Sequence, residues 1–168
     1  MRSIEKRPDL PLTVSAAVGE LTWLYTQSVK HQAMSIRELG WLVLTPVLHR
    51  QFHFFREGAR PIGAAIWAMV DDQVEAAILS GKFSLDGLGE RAWHSGNRLW
   101  LIELLAPFST RENRHAEVML ADLMTGVFQG RSFDMMAAVP GQAEKQRVTI
   151  DGRAGERLTR ELQLALSK

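Results

Sequence analysis

The chain has 168 residues and an almost balanced charge, with 20 Lys and Arg against 19 Asp and Glu. Hydrophobic residues make up 46% and charged residues 23%, which is ordinary for a globular domain and excludes a mainly disordered chain, a coiled coil or a collagen-like repeat. The absence of cysteine excludes a disulfide scaffold, a thiolate nucleophile and a Cys-based metal site, and it fits a reducing cytosol. A net charge of +1 gives no indication of nucleic-acid binding.

The start of the chain predicts a loose arm over residues 1–12, followed by a single domain over residues 13–168. The opening sequence MRSIEKRPDLPLTV is charged and contains two prolines, but it lacks the apolar segment of a secretory signal. The longest apolar stretches are far shorter than the ~20 residues that a membrane-spanning helix needs. We therefore expect a cytoplasmic protein without a membrane span.

Two helices are predicted in the N-terminal part of the domain. The first begins near Thr13, which can cap it, and apolar residues follow at helical spacing. Residues 28–33 interrupt this spacing and predict a loop. Ser35 and Glu38 form the capping-box pattern S-x-x-E, so a second helix should begin there and end near Pro46.

A hairpin, a helix and a long loop are predicted next. Residues 51–56 are rich in aromatic side chains and residues 61–70 form an apolar run, with the turn signal Glu57-Gly58 between them. Residues 71–80 begin with two acids and continue with helical spacing, which predicts a helix. Four glycines in residues 81–96 predict a long loop.

The C-terminal part of the chain alternates strands and helices. Residues 98–108 form the strongest strand-like run, although a buried helix remains its alternative. After this run we expect a helix over residues 112–128, strands over 133–139 and 147–150, and a closing helix over 155–166. The whole order predicts one α/β domain, with a mixed central sheet flanked by helices.

Three tryptophans and a pair of histidines are not interpreted as ligand-binding residues. Trp23, Trp67 and Trp100 are expected in the core rather than in contact with a ligand. His49 and His53 are four residues apart, but a strand boundary falls between them and no acidic or cysteine partner stands at ligand spacing. The sequence therefore predicts no metal site.

Three stretches combine residue types in an order that is characteristic of one family. Gly19–His31, GELTWLYTQSVKH, is a predicted helix that leads into a Ser-x-x-His loop, and Pro61–Trp67, PIGAAIW, leads from a proline to a tryptophan. Ser95–Phe108, SGNRLWLIELLAPF, combines Gly, Arg, Trp, an acid and Ala-Pro-Phe at fixed offsets. Together, the three stretches resemble the RTX toxin-activating lysine acyltransferases of Gram-negative bacteria.

This resemblance implies a fold, a reaction and partners. The family has a fold like that of the GCN5-related N-acetyltransferases, and it transfers a fatty acyl group from acyl carrier protein to internal lysines of an RTX protoxin. Its members are generally dimers, so the resemblance implies a homodimer. Acylated carrier protein is the donor substrate, and no other cofactor is implied.

The resemblance also implies site residues. His31 corresponds to the family's catalytic histidine, and histidine titrates in the range that suits a general base for a lysine amine. Ser28 could orient the imidazole or donate to the developing oxyanion. Glu103 stands where the family usually has Asp, and it could orient or charge-stabilise His31, take the ammonium proton, or form a structural pair with Arg98.

Arginines are the candidate donor-binding residues. Arg98 could bind the phosphate of the carrier arm or an acidic face of the carrier, and Arg111 and Arg114 could extend that surface. An acetyl-CoA-dependent N-acetyltransferase is one alternative function, but residues 109–115, STRENRH, lack the glycines of a pyrophosphate-binding loop. A non-catalytic binding module on the same fold is the other alternative.

Overall fold

In the computed structural model, which describes residues 12–82 and 89–167, a mixed sheet separates two groups of helices. Its five strands, in sheet order and chain order alike, are β1 (Phe52–Glu57), β2 (Arg60–Val70), β3 (Arg98–Leu105), β4 (Phe133–Ala137) and β5 (Gln146–Ile150). β3 and β4 are parallel, and all other neighbours are antiparallel. The predicted mixed α/β architecture is confirmed, and it is consistent with an acyltransferase fold of the GCN5-related type.

The α-helices are α1 (Val14–Gln27), α2 (Ile36–Leu39), α3 (Thr45–Leu48), α4 (Asp72–Leu79), α5 (His115–Thr125) and α6 (Ala154–Leu166). The Thr13 hydroxyl accepts a hydrogen bond from the Ala16 amide at 3.2 Å, and the capping box of Ser35 and Glu38 is present, so both predicted helix starts are confirmed. No helix within the described ranges is both long and apolar enough to cross a membrane.

The predicted second helix is divided by a wider turn. A π-helical segment, Gly40–Leu44, separates α2 from α3, and the Thr45 amide bonds to the carbonyl oxygen of Gly40. Pro46 has no N–H for the carbonyl four residues before it, so a regular α-helix would lose a hydrogen bond here. The wider turn accommodates the proline inside α3 instead of ending the helix before it.

Two apolar clusters cover the two faces of the sheet. The cluster against α1 includes the buried side chains Leu21, Leu24, Ile66, Trp93 and Trp100. The cluster against α5 and α6 includes Trp67, Met119, Leu123, Phe128 and Phe133. The prediction of core positions is thus confirmed for two of the three tryptophans.

Trp23 is the tryptophan for which the core prediction is wrong. Its side chain is 38% exposed, and its ring lies 6.0 Å from that of Phe108. The guanidinium of Arg60 lies over both rings. Trp23 therefore belongs to an exposed aromatic contact at the edge of α1, because helical spacing alone does not fix which side faces the sheet.

Several predicted boundaries move inward. The strand predicted to reach residue 108 ends at Leu105, and the helix predicted over 112–128 covers only His115–Thr125. The strand predicted to reach residue 139 ends at Ala137. The loop predicted over 81–96 contains a 3-10 turn, Glu90–Trp93, that buries Trp93. Residues 83–88 of this loop and residues 1–11 of the predicted N-terminal arm lie outside the described residues.

Candidate active site

A tight turn after α1 brings the predicted serine and histidine together. Ser28 ends the helix, and its amide bonds to the carbonyl oxygen of Tyr25 at 3.1 Å. The 3-10 turn Val29–His31 follows, closed by a hydrogen bond from the His31 amide to the Ser28 carbonyl at 2.9 Å. As a result, the Ser28 hydroxyl lies 2.8 Å from His31 Nδ1. The Ser-x-x-His spacing therefore corresponds to one turn of backbone.

A β-bulge in β3 determines the side of the sheet that Glu103 faces. Ile66 of β2 pairs with Glu103, but the next residue, Trp67, pairs with Leu101, so Ile102 is an extra residue in β3. Regular alternation would place Glu103 on the same face as Leu101, against α5 and α6. The bulge instead places Glu103 opposite Ile66, on the face that α1 covers.

The strands β3 and β4 separate close to Glu103. They pair at only two positions, Trp100 with Asp134 and Leu101 with Met135, and Glu103 lies beyond the last of them. The connection from β4 to β5 contains Lys145, whose pKa is lowered by burial and by the nearby charge of Lys30. The candidate site thus lies where the turn after α1, the open end of β3 and this connection meet.

One carboxylate contacts both the histidine and a lysine. His31 Nε2 lies 3.4 Å from Glu103 Oε2, and Lys30 Nζ lies 3.3 Å from Oε1 and 3.4 Å from Oε2. The His31 side chain is 12% exposed, that of Glu103 22% and that of Lys30 57%. His31 and Glu103 are therefore largely shielded from water, while the site stays open on the side of Lys30.

The surroundings of His31 favour a neutral imidazole. Burial lowers its pKa most, the Lys30 charge lowers it further, and the Glu103 charge acts in the opposite direction. The net effect is a pKa below the usual value near 6.5. At pH 7 the ring is therefore mainly in the form that can accept a proton.

Tyr25 is a neighbour of the site that sequence reasoning missed. Its ring packs edge-on against the His31 ring, with 5.0 Å between centroids, and burial together with the Glu103 charge raises the pKa of its phenol. Its hydroxyl is buried and has no hydrogen-bond partner among the described residues. The position resembles any other apolar position of α1, so the sequence offers no signal for this contact.

Arg98 lies at the opposite end of β3 from Glu103. It forms ion pairs with Asp72 and with Glu75, the latter at 2.6 Å, and the Trp100 indole N–H donates to Glu75 at 3.1 Å. The alternative role for Glu103, a structural ion pair with Arg98, is therefore wrong. Two carboxylates already hold the guanidinium that was predicted to bind the carrier.

Arg111 and Arg114 lie in the loop before α5. Arg111 is exposed. Arg114 adopts a left-handed backbone conformation, with φ of 49°, and forms an ion pair with Glu117. The structure thus brings Ser28, His31 and Glu103 together, and it leaves the three arginines outside that group.

The first amides of α5 are satisfied by side chains of the preceding loop. The His115 amide donates to Asn113 Oδ1 at 3.0 Å, and the Ala116 amide donates to the Ser109 hydroxyl at 3.0 Å. The Thr110 amide also donates to Asn113 Oδ1, at 2.9 Å. These amides would be the donors of a pyrophosphate site at this helix start, and they are already engaged.

The His, Asp and Glu side chains of the described residues do not cluster as metal ligands do. Within residues 12–82 and 89–167, no group of three or more His, Asp or Glu side chains could hold a metal ion. His49 Nε2 lies 3.3 Å from Glu90, and His53 Nε2 lies 3.7 Å from Asp122. The two histidines therefore have different carboxylate neighbours.

Several known acyltransferases are similar to this chain. The protein-lysine palmitoyltransferase CyaC of Bordetella bronchiseptica is 33% identical over 107 residues, which are 64% of this chain and 56% of that protein. The leukotoxin-activating lysine-acyltransferase LktC of Mannheimia haemolytica is 28% identical over 91 residues, 54% of this chain and 53% of that protein. The chain thus spans little more than half the length of these two relatives.

A third relative and a family model extend the similarity. The lysine-acyltransferase RtxC of Vibrio cholerae is 25% identical over 134 residues, 79% of this chain and 82% of that protein. The model of the RTX toxin acyltransferase family matches residues 10–151, a range that contains Ser28, His31 and Glu103. With this match over most of its length, the chain belongs to the RTX toxin acyltransferase family.

Proposed function

We propose that this protein is a protein-lysine acyltransferase, which transfers a fatty acyl group from acyl carrier protein to internal lysines of an RTX protoxin in the cytoplasm. The observation that carries the proposal is the group of three side chains after α1 and on β3. His31 Nε2 lies 3.4 Å from the Glu103 carboxylate, and its Nδ1 lies 2.8 Å from the Ser28 hydroxyl. Relatives of this chain are named as lysine acyltransferases, which agrees with the proposal.

The reaction requires a neutral lysine amine. With a usual pKa of ~10.4, only about one lysine side chain in 10³ is neutral at pH 7. A carboxylate that attracts the ammonium and a neutral imidazole that accepts its proton together overcome this limitation. Glu103 supplies the first group, and His31, with its lowered pKa, supplies the second.

Ser28 has a positioning role in this reaction. When the His31 Nδ1–H donates to the Ser28 hydroxyl, the lone pair of the imidazole is on Nε2, the nitrogen that faces Glu103. An acceptor amine that enters beside Glu103 thus meets the basic nitrogen. After proton transfer, the carboxylate stabilises the imidazolium.

The start of α5 supports a carrier-protein donor over acetyl-CoA. In an acetyl-CoA-dependent enzyme, free amides at a helix start commonly cradle the pyrophosphate. Here the amides of His115 and Ala116 donate to Asn113 and Ser109. The donor is therefore expected to bind through another surface, such as a protein–protein contact.

The proposal is tested with purified protein and palmitoyl-acyl carrier protein as the donor. Two acceptors are used, the M. haemolytica leukotoxin protoxin and excess N-acetyl-lysinamide, and mass spectrometry detects an amide-linked acyl group. We expect His31-dependent acylation, with His31→Ala reduced at least tenfold and its circular dichroism unchanged. Failure of both acceptors, or a His31→Ala variant above a tenth of the wild-type rate, would overturn the proposal.

A further inference from the structure

Lys30 of the protein itself occupies the place to which an acceptor lysine must come. Its Nζ contacts both oxygens of Glu103, at 3.3 and 3.4 Å, and the second oxygen lies 3.4 Å from His31 Nε2. The side chain is 57% exposed, so a donor can reach it from solvent. The proposed reaction uses the same carboxylate and the same imidazole, and this inference therefore rests on the proposed function.

The position of the acceptor amine determines where the thioester of the donor must lie. For transfer to an external lysine, the thioester carbon must come within bonding reach of an amine beside Glu103 and His31. Lys30 already presents an amine beside both groups. Any donor position that serves an external lysine at this carboxylate thus lies close to Lys30 Nζ as well.

Lys145 is a second lysine close to the Glu103 carboxylate. Lys145 lies close enough for the Lys30 charge to lower its pKa, so two cationic groups share one carboxylate. Of these two exposed lysines, Lys30 makes the direct contact with Glu103.

We propose that, without an acceptor protein, the enzyme acylates its own Lys30. The Lys30 ammonium gives a proton to His31, and its nitrogen forms a bond to the carbonyl carbon of the donor thioester. The carbon–sulfur bond breaks, the leaving thiolate takes the proton from His31, and the attacking nitrogen releases its second excess proton to water. The products are one amide on Lys30 and one free carrier thiol, and the amide accumulates because it is stable towards water.

The experiment uses the full chain with palmitoyl-acyl carrier protein and no acceptor. Intact mass and peptide mapping after alkaline hydroxylamine, which removes oxygen esters, measure amide-linked acylation at each lysine. The variants are Lys30→Arg, which keeps the positive charge, Lys82→Arg as a matched exposed lysine, and His31→Ala. We expect up to one acyl group per chain at Lys30, the same in Lys82→Arg, and at least a tenfold loss in His31→Ala.

The outcomes separate this inference from the proposed function. Lys30→Arg should accumulate no amide elsewhere, and excess N-acetyl-lysinamide should slow the modification of Lys30 in the wild type. If the enzyme acylates an added acceptor but leaves Lys30 unmodified in the reaction without acceptor, the inference is overturned and the proposed function stands. Equal acylation of Lys30, Lys82 and Lys145 that does not depend on His31 also overturns it. Acylation of neither the enzyme nor the acceptor overturns the proposed function, and this inference with it.

Discussion

The Glu103 carboxylate faces both the His31 imidazole and the Lys30 amine. Two substitutions at this position test the charge and the length of the side chain separately. Glu103→Gln removes the charge with little change of shape, and we expect acyl transfer to fall by about 10²-fold because the proton acceptor loses its charged partner. Glu103→Asp keeps the charge, and it should retain most activity since the family usually has Asp at this position. Initial rates of acyl transfer from palmitoyl-acyl carrier protein measure the effect of each substitution. A Gln variant as active as the wild type would make Glu103 structural.

The pH dependence of the reaction should report the protonation of His31. Because its pKa lies below 6.5, kcat/KM should stay high near neutral pH and fall only as the pH decreases through that lowered value. Glu103 raises this pKa and Lys30 lowers it. Glu103→Gln should therefore move the acid limb to lower pH, and Lys30→Gln should move it to higher pH.

An NMR titration of the His31 ring measures the pKa in the same two variants without an activity assay. The two variants should shift the midpoint in opposite directions, and a shift of both in the same direction would contradict the assigned electrostatics. A surface variant such as Lys82→Gln serves as the control, because Lys82 is not among the groups that shift the His31 pKa.

The residues of the candidate site were predicted unevenly from the sequence. Ser28, His31 and Glu103 carry motif signals, and the structure brings them together. Lys30 and Lys145 carry none, because their positions depend on a 3-10 turn and on a connection between strands that no periodic pattern describes. Residue spacing identifies chemistry along one segment, whereas contacts between segments require the fold.

At the scale of elements, two glycines in regular structure should respond oppositely to alanine. A Cβ at Gly63 of β2 would lie 2.5 Å from the Leu105 carbonyl oxygen and 2.6 Å from the Met119 sulfur, whereas nothing lies within 4 Å at Gly19 of α1. We expect Gly63→Ala to lower the free energy of unfolding by about 1–3 kcal/mol through overpacking. Gly19→Ala should raise it by roughly 0.5–1 kcal/mol, since alanine has the higher helix propensity.

Urea unfolding followed by circular dichroism measures both changes. Gly19→Ala is the matched control, because the two variants add the same methyl group to regular secondary structure. Equal stability of the two variants would contradict the close packing of β2 against β3 and α5.

Element types were easier to predict than their ends. The strand–helix order of the described residues follows from hydrophobic periodicity and capping, yet α5 begins three residues later than predicted, at His115. The Asn113 and Ser109 side chains form hydrogen bonds with backbone groups of the preceding loop and of the first turn of α5, and bonds of this kind compete with helix formation. The β3 bulge was also missed, because no glycine or proline marks Ile102.

At the scale of the whole molecule, we predict a homodimer in solution. The prediction rests on membership of a family whose members are generally dimeric, as the resemblance in the sequence implied. Light scattering at micromolar concentration measures the mass, and a chain of 18.9 kDa should give twice that value. A monomer mass over the whole concentration range would contradict the prediction.

The choice of donor is the second property of the whole molecule. Ser109 and Asn113 engage the amides that a pyrophosphate would use at the start of α5, so the donor should be recognised mainly through a protein surface. Carrier proteins are acidic, and Arg111 is an exposed cation in the loop just before that helix. Attraction between exposed charges is screened over ~8 Å at physiological ionic strength, so it should weaken as salt is added.

We therefore expect palmitoyl-acyl carrier protein to be used much faster than palmitoyl-CoA, with a KM for the carrier that rises with salt. Side-by-side kinetics at low and high ionic strength measure this. Arg111→Glu should raise the KM for the carrier at low salt because it replaces attraction by repulsion, with Arg160→Glu on α6 as the charge-matched control. Arg98 is expected to contribute less, because Asp72 and Glu75 already neutralise its guanidinium. Equal or faster use of the CoA thioester would contradict a carrier-protein donor and favour the acetyl-CoA type of enzyme.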